Sequence, residues 1–197
     1  MSQREYTDFD YPPVDTPSPS GVVPAHVPTL PNGVVNIDTR KPIPFDRHKF
    51  GAASYQTYGC KVRYAGLLVL DEPDDVLQIA SSTVPRYPDV LHAGILDIRN
   101  FPLPAQVSWR DKDGNPHEAR VDIAAIFRDQ VVLHKVPHAQ LPPVLTAPVF
   151  PEIILEINDS TIRVWMRAFV PTTVLQEPGN RLSNYRDDVV LAYSKTY

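Results

Sequence analysis

Proline sets the tightest limit on what this chain folds into. Its 197 residues hold 22 prolines and only 8 glycines. Proline fixes φ and removes a backbone donor, so it interrupts helices and central strands alike. Many prolines with few glycines imply short, stiff connections between strands. Nine of the 22 fall between residues 12 and 44, in and after YPPVDTPSPSGVVPAHVPTLPNGVV. That stretch has no helical or alternating period, and its prolines bias it toward extended polyproline conformation. Residues 1–44 therefore read as a Pro-rich tail or tether, and residues 45–197 as a single β domain. Val34, Val35 and Ile37 leave open an ordered strap along that domain.

Composition excludes several function classes. An apolar fraction of 43% is enough for a real core. A net charge of −4 argues against nucleic acid as a partner, because a phosphate-binding face needs clustered Lys and Arg. No apolar run approaches the roughly 18 residues that span a bilayer as a helix. The one cysteine, Cys60, excludes an intramolecular disulfide and a Cys-rich zinc site.

The pattern from residue 45 onward is that of strands. CKVRYAGLLVLDE alternates and then runs apolar through Leu67, Leu68, Val69 and Leu70, which predicts a strand buried on both faces. VLHAGILDI at 90–98 reads as another. AQVSWR at 105–110 sets Val107 and Trp109 on one face, and EARVDI sets Ala119, Val121 and Ile123 together. Asp113-Gly114 between them is a strong hairpin signal. The charges Asp111, Lys112, Asp113 and Glu118 then sit at a hairpin tip as a solvated turn. Asp122 is a helix N-cap for one or two turns through Ile126 and Phe127, with strand resuming through Val131 and Leu133. EIILEI and TIRVWMRAFV flank the turn residues NDS. In the second of these strands Ile162, Val164, Met166 and Ala168 point one way, and Thr161, Arg163, Trp165 and Arg167 the other. DVVLAYS at 188–194 is the last strand. The fold class is mainly β: an antiparallel sandwich or barrel-like sheet with one short helix and a Pro-rich N-terminal tail.

Catalytic signatures are sparse. There is no G-x-S-x-G elbow, no Walker loop and no dinucleotide fingerprint. Cys60 has no activating base nearby in sequence and reads as a structural thiol. His134 and His138 have i,i+4 spacing, but Pro137 lies between them, so no helix sets both on one face. Asp74-Asp75 and Asp187-Asp188 are adjacent and point apart in a strand, a poor acid–base arrangement. The expectation is a non-enzyme with no catalytic residue, no metal and no cofactor. A stripe of Arg163, Trp165 and Arg167 suits a protein partner, since Arg and Trp are enriched at hot spots. Asp111, Asp113 and Glu118 form a second candidate contact, able to steer a basic rim. QEPGNRLSNYRDD, at 176–188, is long enough to form a shaped loop.

The combination of YPDVLHAGIL, SWRDKDGNPHEARVDIAAIFRDQVVLHKVP and IRVWMRAFVPT…EPGNRLSNYRDDVVLAYSKTY resembles small β-rich proteins of Gram-negative bacteria. These are immunity proteins encoded beside type VI secretion effectors, often lipase-like toxins. The resemblance covers roughly residues 50–197 and carries over no functional residue. It implies a protein that binds a cognate secreted toxin and occludes or distorts its active site. The alternative is a structural or adaptor protein of a phage or secretion particle, with the Pro-rich arm clasping a neighbour. MSQREYTDF has no basic n-region and no apolar h-region. The expected location is the periplasm, free or lipid-anchored, if a leader was removed, and the cytoplasm if the sequence is complete.

Overall fold

In the computed structural model, residues 18–197 are described. The chain enters through a short strand β1 (Ile37–Asp38), then β2 (Arg47–Tyr55), β3 (Tyr58–Tyr64) and β4 (Leu67–Asp71). After a long excursion come β5 (Ile95–Arg99), β6 (Ala105–Arg110), β7 (Pro116–Val121) and the helical turn α1 (Ile123–Ile126). The remainder is β8 (Val144–Leu145), β9 (Glu152–Asn158), β10 (Thr161–Arg167), β11 (Val170–Pro171), β12 (Tyr185–Arg186) and β13 (Val189–Thr196). Two sheets dominate. One has five strands in the order β13-β10-β9-β2-β5, the other four in the order β4-β3-β6-β7. The architecture is mainly β and sandwich-like, as the alternation and turn signals imply. Among the described pairs, β2 and β9 are parallel, the one departure from an antiparallel scheme.

The core lies between the sheets. Ile153, Leu155, Ile157, Ile162, Val164 and Met166 from β9 and β10 are fully buried against it. Opposite them lie Cys60, Val62, Val107, Trp109 and Val121. Phe50 on β2 meets Tyr64 on β3 with ring centroids 4.1 Å apart, and Trp109 Nε1 donates to the Asp159 carbonyl at 2.8 Å. Both contacts tie one sheet to the other. Asp122 caps α1, its carboxylate accepting from the Ala125 amide at 3.0 Å.

A buried polar chain crosses this interior. His48 Nδ1 is 2.8 Å from Asn100 Oδ1, and Nε2 is 3.1 Å from the Tyr64 hydroxyl. Asn100 Nδ2 donates to the Phe45 carbonyl and to Gln130 Oε1. Its oxygen is thus the acceptor toward His48, so Nδ1 carries the proton and Nε2 accepts from Tyr64. Burial holds the imidazole pKa down at about 4.

Several expectations require correction. Leu67 and Leu68 are exposed, because β4 is the edge strand of its sheet and no described residue covers its outer side. An apolar run in sequence does not reveal a strand's place in the sheet. The turn before it, Ala65-Gly66, has φ of 52° and 77°, the two positive values of a type I′ hairpin. Val131 makes only an isolated bridge to Pro44, and Leu133 lies outside any strand, its amide directed at Met166 Sδ. Residues 90–94 also precede β5 and belong to a covering segment.

Residues 18–44 lie along the sandwich as a strap. Ile37 and Ile43 are fully buried in the main core, and β1 pairs with β8. Gln130 holds the strap from below, its Nε2 donating to the Val23 carbonyl and its Oε1 accepting from the Ala25 amide, both at 2.8 Å. The part of the Pro-rich segment before Ser18 lies outside the described residues.

Candidate protein-binding interface

The outer face of the five-stranded sheet is covered. Residues 72–94 leave β4, pass beside the β2–β3 turn and return as a flap over β2, β9 and β10. Val84, Tyr87, Leu91 and Ala93 pack there on Tyr55, Ile154 and Trp165. Beneath the flap lies Glu156, fully buried. Its carboxylate accepts from the Tyr87 hydroxyl at 2.7 and 2.9 Å, Asn158 Nδ2 at 2.9 Å, Arg163 Nη1 at 3.1 Å and Trp165 Nε1 at 2.6 Å. These donors fill the lone pairs the carboxylate can offer, so the cluster clamps the flap and leaves no open position for a substrate. Burial, with Glu156 as acceptor, pushes the Tyr87 hydroxyl pKa well above its usual range.

The stripe of Arg163, Trp165 and Arg167 therefore has partners within the chain. Arg163 and Trp165 serve Glu156, and Trp165 meets Tyr87 edge-on at 6.5 Å. Arg167 reaches the carbonyls of Asp89 and Leu91 and pairs with Asp187. The alternation of Arg and Trp on this outer side reflects the clamp.

The hairpin tip divides. Asp111 is buried, against the expectation of a solvated charge, because the turn folds around it. It accepts from the amides of Asp113 and Asn115, from Asn115 Nδ2, and from His117 Nε2 at 3.0 Å. The His117 and Asn115 donors hold its carboxyl far below the usual carboxylate range. Lys112 pairs with Asp159 at 2.7 Å, fixing the tip to the β9–β10 turn. Asp113 and Glu118 stay exposed.

A separate hairpin spans residues 168–188. β11 and β12 form its base, and further bonds run from Thr172 N to Asn184 O and from Gln176 N to Ser183 O, each 2.8 Å. Ser183 is buried at the turn. Its hydroxyl accepts from the Glu177 amide at 2.9 Å and donates to the Asn180 carbonyl at 2.8 Å. On this braced support Leu182 is 81% exposed, and Phe169, 58% exposed, stacks on Tyr185 with centroids 3.9 Å apart. Val174 and Leu175 are exposed as well. Arg167 with Asp187, and Arg186 with Asp188, pin its foot. The sequence signal was Leu182 standing alone among turn-forming residues in EPGNRLSN.

Among the described residues no three His, Cys, Asp or Glu side chains converge as a metal site, and no helix is long and apolar enough to cross a membrane. No family model matches the chain, and no curated protein or solved structure matches it. The fold and surface together define a two-sheet β module with one closed sheet face and one preformed, apolar-tipped hairpin.

Proposed function

We propose that this chain is an immunity-type inhibitor that binds a secreted antibacterial toxin and neutralises it by occluding or distorting its active site. The observation that carries this is the hairpin at 168–188, where Leu182 stands 81% exposed on a turn fixed by buried Ser183. An inhibitor that acts by occupancy needs an apolar anchor and little ordering on binding. A Leu side chain moved from water into a pocket contributes about 1.5–3 kcal/mol, and a preorganised loop loses little of it to entropy.

The partner that fits is a protein with an apolar cleft, which suits the lipase-like toxins that the sequence resemblance implies, since such enzymes hold acyl chains. Exposed Asp113 and Glu118 add steering charge away from the anchor. On this reading the protein meets its toxin in the periplasm.

The test is titration of the toxin, captured from the native host, with the purified protein. Stoichiometric loss of toxin activity, with the inhibitor recovered unchanged, is the expected result. Turnover of lipids, peptides or nucleotides by the purified protein itself, abolished by a change at a His or Asp, overturns it.

A further inference from the structure

The outer face of the four-stranded sheet is unlike that of its partner sheet: among the described residues no flap or helix closes it. Two rungs cross it. One runs Arg63–Gln106–Arg120, the other Lys61–Ser108–Glu118. They line a trough of about 660 Å³. It continues at one end into about 410 Å³ lined by Tyr64, Ala65, Leu103 and Pro19. At the other end it continues past Arg110 and Pro116. Arg63 and Arg120 are exposed, and neither guanidinium has an ion pair or hydrogen bond among the described residues. The two guanidiniums in one rung are about 10 Å apart across two strand spacings, and among the described residues neither is ion-paired.

The chain itself carries a counter-charge next to this place. Residues 1–17 hold Glu5, Asp8, Asp10 and Asp15 against a lone Arg4. They lead directly into Ser18, whose hydroxyl accepts from the Phe101 amide, and Pro19, which lines the apolar end of the trough. Nine residues of extended chain cover about 30 Å, and the face from residue 58 to residue 66 has about the same length. Asp8 and Asp10 are two apart, and so are Lys61 and Arg63, a match of one repeat of extended chain. Pro12, Pro13 and Pro17 remove ladder donors, so such a segment suits lying across a sheet face rather than adding to an edge.

We propose that the trough is a docking site whose occupant is residues 1–17 of this same chain, their carboxylates meeting Arg63, Arg120 and Lys61. A long polyanion suits the trough less well, because Glu118 and the Asp71 partner of Lys61 interrupt its positive charge. Tethering gives the segment a millimolar effective concentration, so weak individual pairs suffice. The site is separate from the hairpin at 168–188, and its test needs no toxin.

The full chain is labelled with a nitroxide at Tyr11→Cys. Cys60 stays unlabelled, being buried with its thiol pushed up to about 12. Paramagnetic broadening of backbone amides is expected across β3, β6 and β7, independent of protein concentration. Arg63→Glu with Arg120→Glu should cut it at least threefold without moving the melting temperature, and adding Asp8→Lys and Asp10→Lys should restore it. The proposal is overturned by broadening that is absent from β6 and β7. Broadening unchanged in the double reversal, or arising only between separate copies, overturns it equally.

Discussion

The carbonyl oxygen of His92 lies 2.6 Å from where a Cβ on Gly51 would sit. Strand β2 and the flap are in backbone contact there, and a side chain at this point has no flexible neighbour to displace. Gly51→Ala should therefore lift the flap or shift the strand, at about 1–3 kcal/mol of stability. Thermal melting measures it, and a melting temperature equal to that of the parent protein would contradict a closed flap.

Glu156 needs its donors. Trp165→Ala removes both an indole donor and half-buried packing against Tyr87, with an expected loss of about 2–3 kcal/mol. Arg163→Glu sets a second carboxylate beside a buried one. Arg163 is 31% exposed, so solvent softens the clash to about 2 kcal/mol. Arg163→Met should cost less than Arg163→Glu in urea unfolding. Equal losses would mean that the charge pair has no part in holding the flap.

Toxin affinity should separate from stability at the hairpin. Leu182→Asp is expected to weaken binding at least 30-fold, about 2 kcal/mol, with an unchanged melt. Ser183→Ala keeps every exposed side chain but frees the turn, and should weaken binding by about tenfold through ordering entropy. Calorimetric titration checks both. Full affinity in Leu182→Asp would exclude this hairpin as the anchor.

His48 sets a pH window. Its pKa is about 4 in the folded protein against 6.5 for the free side chain. The unfolded chain therefore binds a proton first. Stability from the neutral imidazole is full above pH 6.5 and is lost as pH falls from 6.5 through 4, by up to about 3 kcal/mol. Asp111, with its depressed pKa, contributes in a separate window below the normal carboxylate range. Denaturant midpoints at pH 7, 5.5 and 4 should fall, and His48→Gln should flatten that fall. A profile equally steep in His48→Gln would assign the window to another group.

Elements built from local pattern were legible in advance. The Asp113-Gly114 turn, the Asp122 cap and the inward face of β10 need only neighbours within a few residues, and each appears where the alternation sets it. Leu67 and Leu68 misled because exposure depends on the strand's position at a sheet edge. Asp111 misled because its partners arrive through the turn's own fold. The flap is set by contact at a distance: Leu91 is buried and Tyr87 partly so where Gly51 lets the backbone of His92 and Ala93 approach, and the strand-like pattern at 90–98 does not show this. Leu182 is marked in the sequence only as a lone apolar residue among turn formers, which does not say whether it is buried or exposed.

The parallel pairing of β2 with β9 joins Lys49 to Glu152 and Tyr55 to Asn158, about a hundred positions apart. During translation, β2 leaves the ribosome long before the strand that completes it exists. Until residue 158 emerges, Phe50 and Ala52 have no finished sheet to belong to, and the strap has no Gln130 to hold it for most of that time. Such long-range closure slows folding. A chain released short of β9 would present an unmatched central strand, the very surface that chaperones retain and proteases clear.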